Sequence, residues 1–150
     1  MKKFKFSLDS VLSYKQQVLD ALQGEHAVIL ARLREQEEML EAVWRDYRSC
    51  DDEYRQRKTE GMTITDALMY QNGLRALEQE IQRETEKLEV LQKQEEKKRQ
   101  EVVDAKIDTS SIEKLKEHKL EDYHKAEQKA EEVLIDEFVS SARARAGIGA

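Results

Sequence analysis

The chain contains no proline, one cysteine, nine aromatic residues and only three glycines before its last four positions. Without proline, the commonest interruption of a helix is missing from the whole length. A single cysteine, Cys50, excludes an internal disulfide and accords with a reducing compartment. The longest unbroken apolar run, Ala27 to Ala31, is far too short to cross a bilayer, and the N-terminus lacks the apolar stretch of a signal peptide. A cytoplasmic protein is therefore expected. Catalytic signatures are also absent: there is no P-loop, HExxH or CxxC. The three histidines, His26, His118 and His124, are scattered, and the latter two are six apart, which does not place them on one helical face. The expectation is a protein that is not an enzyme and holds neither metal nor cofactor.

The chain is rich in charge, at 39% of its 150 residues. With so few aromatics, this composition suits a long helix or coiled coil better than a compact globule. Acidic residues outnumber basic ones 32 to 26, which does not favour a broad nucleic-acid surface. Alternating spacings of four and three pick out Leu8, Leu12, Lys15, Leu19, Leu22, His26, Ile29, Leu33, Gln36, Leu40, Val43, Tyr47, Cys50 and Tyr54. A second series contains Ala67, Tyr70, Leu74, Leu77, Ile81, Glu84, Leu88, Leu91, Glu95, Lys98, Val102, Ala105, Thr109 and Ile112. Eleven residues of the first and ten of the second are apolar. A sustained heptad keeps one narrow stripe toward a partner helix. Laid antiparallel, the two seams pair Tyr54 with Tyr70, Val43 with Ile81, Leu33 with Leu91 and Leu12 with Ile112; a slip of one heptad satisfies the pattern equally. In this register His26 meets Lys98 and Ile29 meets Glu95.

Between the seams lies Arg57 to Asp66, RKTEGMTITD. Gly61 tolerates the positive φ that ends a helix, and Thr63, Thr65 or Asp66 offers an oxygen to the first amides of the next. The alternative is a turn at Asn72-Gly73. The predicted architecture is all-α: a long two-helix antiparallel coiled-coil hairpin with an overhanging C-terminal helix, forming one domain over residues 1–150. Its elements are helix 1 over about 8–57, a turn over about 58–65, helix 2 over about 66–143 and a disordered tail over about 144–150. A kink is expected near 108–111, where Ser110 and Glu113 have capping-box spacing. Helix 1 can pair only as far as about residue 116, so roughly 25 to 30 residues overhang as a helix about 40 Å long. Leu134 and Phe138 lie there one turn apart and need a partner, unless the segment folds back on the KKFKF leader. Cys50 falls on the seam, where it reads as a small buried hydrophobe.

The opening FKFSLDSVLSYK resembles the FliJ family of flagellar type III export proteins. So do the hairpin residues Tyr47, Tyr54, Gly61 and Tyr70 with Leu74-x-x-Leu77, the segment IEKLKE from Ile112 to Glu117, and the late DEF from Asp136 to Phe138. The resemblance covers nearly the whole chain and implies a stalk-like coupling protein that binds the hexameric export ATPase and the cytoplasmic domain of the membrane export gate. Export chaperones are further partners it implies, and it places the protein at the inner face of the cell membrane; Gly61 and the short loop favour pairing within one chain, so a monomer is expected when free. Together with the overhang and the nearby leader, the resemblance makes Phe4, Phe6, Leu8, Leu134, Asp136, Glu137 and Phe138 the expected ATPase-binding residues. The aromatic cluster near the hairpin makes Trp44, Tyr47, Tyr54, Tyr70 and Leu77 the expected gate-binding residues, although the family often has its tryptophan late in the second helix, where this chain has none. Lys2, Lys3, Lys5, Arg143 and Arg145 make both termini locally basic, a charge that suits a ring with acidic loops. The competing reading is a homo-oligomeric coiled-coil tether or a chaperone escort, in which the same seams pair between chains.

Overall fold

The computed structural model describes residues 2–148. Two helices account for nearly all of them: α1, Asp9–Glu60, and α2, Ile64–Ile148, with no strand among the described residues. The break between them follows from local chemistry. Gly61 has φ of 94°, a conformation closed to most L side chains, and it ends α1. Thr63 then caps α2: its Oγ1 accepts the amide of Asp66 at 3.1 Å, and its carbonyl accepts the amide of Ala67. Asn72-Gly73 stays inside α2. A Cβ at Gly73 would make only an ordinary van der Waals contact there, 4.0 Å from the Cys50 sulfur.

α2 runs without interruption through 108–111, where the sequence suggests a kink, and on through the stretch expected to be a disordered tail, as far as Ile148. Gly149 and Ala150, at the very end of that tail, lie outside the described residues. Ser110, whose spacing to Glu113 suggested a new helix start, stays inside α2, and the hydroxyls on either side of it bond back to the same helix: Thr109 Oγ1 donates to the Ala105 carbonyl at 2.8 Å and Ser111 Oγ to that of Ile107 at 2.9 Å. Each hydroxyl is thereby satisfied within a continuous helix.

The chain divides into two compact units, Asp20–Asp104 and Met1–Leu19 with Ala105–Ala150. In the first unit the two helices pair antiparallel, with Val43, Tyr54 and Ile81 buried. Tyr54 and Tyr70 do face each other, their rings 5.3 Å apart. The polar seam positions depart from the simple register. His26 meets Glu95 at 3.1 Å, not Lys98, which reaches Glu25 at 2.8 Å. Gln36 donates to both the carbonyl and the carboxylate of Glu84, and both residues are buried. Polar seam residues thus find one another across adjacent layers, because a buried amide or carboxylate left unpaired costs far more than a slightly slanted contact.

In the second unit Leu12 and Thr109 are buried, Thr109 at 3% exposure. Lys15 pairs with Asp108 at 3.5 Å, Gln16 with Glu113 at 3.3 Å and Lys116 with Asp9 at 2.9 Å. Residues 2–6 have no regular structure and lie along α2. Tyr123 donates to the Lys2 carbonyl at 2.7 Å, and its ring is 5.6 Å from that of Phe4. The leader therefore extends coverage of α2 beyond the start of α1. From Gln128 to Gly147 every residue is exposed, a single helix about 30 Å long at 1.5 Å per residue.

Candidate interaction surfaces

Each unit exposes large apolar side chains, and two groups of them coincide with the expected binding residues. On the terminal unit one group lies at the exposed end of α2. Leu134 is 65% exposed, Ile135 62% and Phe138 75%, with Val133 and Val139 also exposed. Successive helical residues are about 100° apart, so Leu134, Ile135, Phe138 and Ala142 fall within a stripe roughly 100° wide. Asp136 lies about 200° from Leu134, on the opposite side, and Glu137 flanks the stripe. Of the residues expected to bind the ATPase, Leu134, Glu137 and Phe138 share a neighbourhood that Asp136 does not face.

Phe4, Phe6 and Leu8 are placed apart from these. Phe4 and Phe6 are half-buried, and Phe4 stacks on Tyr123. Tyr123 precedes Leu134 by about 16 Å of helix. Leu8 supplies its carbonyl to the amide of Leu12 and opens α1. Part of the leader's apolar area is thus already spent on α2, a contact that heptad spacing could not reveal because the leader is not helical.

On the other unit, Trp44 is 42% exposed and stands edge-on to Tyr47, ring centroids 5.8 Å apart. A shallow groove beside it is lined by Leu40, Leu88, Glu37, Glu41 and Arg48. Tyr47 is half-buried and donates to Glu78 at 3.3 Å; burial and then the Glu78 carboxylate raise its pKa above 10.0, so it stays a neutral donor. Tyr54 is buried, accepts Gln71 Nε2 at 3.2 Å and lies under Lys58, whose ammonium is 3.9 Å from the ring. Tyr70 and Leu77 are half-buried. Of the residues expected to bind the gate, Trp44 presents the most free surface, and Tyr54 presents almost none.

Burial, then Glu53 and Asp51, push the Cys50 thiol up, the reverse of what a reactive thiolate needs. Among the described residues no cluster of three His, Cys, Asp or Glu side chains is arranged to hold a metal. No described helix is long and apolar enough to cross a membrane.

The fold is that of an antiparallel helical hairpin, all-α among the described residues. The profile of the Flagellar FliJ protein family matches residues 4–147. The chain belongs to the FliJ family, and with it to the components of the flagellar export apparatus. Searches of curated proteins and of solved structures returned no match.

Proposed function

We propose that this protein is a non-enzymatic, stalk-like coupling component that engages the hexameric flagellar export ATPase through the C-terminal end of α2 and the cytoplasmic domain of the export gate through the face around Trp44. The observation that carries the reading is the exposed segment 128–147, which retains large apolar side chains after every contact of its own unit is made. Contiguous exposed apolar surface of this kind is characteristic of an interaction site. Leu134, Glu137 and Phe138 are the ring contacts, with Asp136 meeting the ring from the opposite side. Phe4, Phe6 and Leu8 act chiefly by holding the base of the extension. Trp44, Tyr47, Tyr70 and Leu77 form the gate face, with Tyr54 beneath them as support. The protein works in the cytoplasm at the inner face of the membrane, as a monomer when free and dilute, with export chaperones as further partners.

Immobilised full-length protein should capture both the purified export ATPase and the purified gate domain. Trp44→Ala should lose the gate domain alone, and Leu134→Ser with Phe138→Ser the ATPase alone. Capture of neither partner by the unaltered chain would remove the proposal. The competing tether reading predicts instead that the hairpin seams pair between chains, a pairing the intramolecular contacts of Gln36 with Glu84 and Tyr54 with Tyr70 already occupy.

A further inference from the structure

We infer that the exposed end of α2 is self-complementary and pairs antiparallel with the same segment of a second copy of this chain. The argument begins with the order of charges along the segment. Glu131 and Glu132 precede the apolar centre, and Arg143 and Arg145 follow it. All four are exposed, and no ion pair among the described residues involves them. Glu131, Leu134, Phe138, Ser141 and Arg145 have the alternating three-and-four spacing of a coiled-coil seam and lie on one face.

Two such helices laid antiparallel about Phe138 bring Phe138 against its own copy at the twofold axis. Leu134 then meets Ala142, large against small, and Ile135 meets Ser141 with Val139 alongside. At both ends Glu131 of one chain meets Arg145 of the other. The parallel alternative sets Glu131 against Glu131 and Arg145 against Arg145, so like charges disfavour it. The arrangement is isologous, as a closed twofold dimer requires. It also gives the extension the tertiary support that an isolated helix of this length lacks in water.

The contact is small, so the dissociation constant falls at the weak end of the scale, on the order of 100 µM. The dilute chain is a monomer, and pairing takes hold where copies are concentrated. Because the same stripe is proposed above to face the ATPase ring, paired and ring-bound forms exclude each other; the pairing itself does not rest on that reading.

Sedimentation equilibrium of the full chain, from about 1 µM to about 500 µM to bracket such weak affinity, tests the proposal. The mass should rise from 17.6 kDa toward twice that value. Glu131→Arg alone and Arg145→Glu alone should each weaken pairing at least tenfold, since each sets like charges together at both ends. Glu131→Arg combined with Arg145→Glu in one chain should restore it. All three variants alter only an exposed helix surface, and circular dichroism verifies that helicity is kept. A chain that remains monomeric to the highest concentration overturns the proposal, as does a dimer that ignores the single reversals or is not rescued by the double one. Neither of those results touches ATPase capture, so the ring reading stands or falls separately.

Discussion

Replacing Ile81 by alanine and, separately, Leu134 by alanine sets the two kinds of apolar position in this protein against each other. Ile81 is 9% exposed. Truncating a buried isoleucine to alanine costs about 2–5 kcal/mol, the spread reflecting how far the site collapses. Here only two helices enclose the position, so water reaches the space left behind, and the low end, about 2 kcal/mol, is expected. At about 2–4 °C per kcal/mol for a chain of this size, the melting temperature should fall by about 4–8 °C. Leu134 keeps only about a third of its surface covered, and that by its own helix. A third of a full leucine burial is ~0.6 kcal/mol, and alanine's better helix propensity returns ~0.2. The net change should stay below about 0.5 kcal/mol. Urea unfolding of dilute protein, followed by far-ultraviolet circular dichroism, measures both. A Leu134→Ala cost as large as that of Ile81→Ala would refute the reasoning, because it would mean that the extension packs against the rest of the chain.

The buried Gln36–Glu84 pair predicts a particular acid response. The Gln36 amide, then the Lys87 ammonium, hold the Glu84 carboxyl below its ordinary 4.5, so the stability it contributes is present above that pH and is lost as pH falls through the lowered folded value. Gln36→Leu should flatten the loss of stability between about pH 5 and about pH 3; an unchanged slope would show the hydrogen bond to be immaterial. At the gate face, Trp44→Ala should weaken binding of the export-gate domain at least tenfold, as loss of an aromatic anchor does, while leaving the melting temperature within about 2 °C. Equal loss of binding and stability would assign Trp44 to packing.

Much of this architecture can be read from spacing. The heptads of Leu12, Val43 and Ile81 mark buried positions because a stripe that recurs every three and four residues can satisfy itself only against another helix. Gly61 and Thr63 locate the turn because a positive φ and an N-cap oxygen have few other providers. The partners of His26 and Gln36 are less legible. Heptads specify which face a residue occupies, but a long polar side chain can choose between neighbouring layers, and hydrogen-bond geometry decides. The course of α2 through 108–111 is hidden for a related reason: Ser110 and Glu113 have capping-box spacing, but hydroxyls in a helix can equally bond back to their own turn, as those of Thr109 and Ser111 do. The leader's contact with Tyr123 leaves no periodic trace at all, since a non-helical segment of five residues has no period to detect.

The central claim, that the exposed end of α2 is the ATPase-binding element, is tested most directly by stimulation of the purified hexameric export ATPase with full-length protein carrying Leu134→Ser and Phe138→Ser together. The variant should melt like the parent and bind the gate domain normally, yet fail to raise the rate of ATP hydrolysis or to stabilise the hexamer. Full stimulation by that variant would contradict the account.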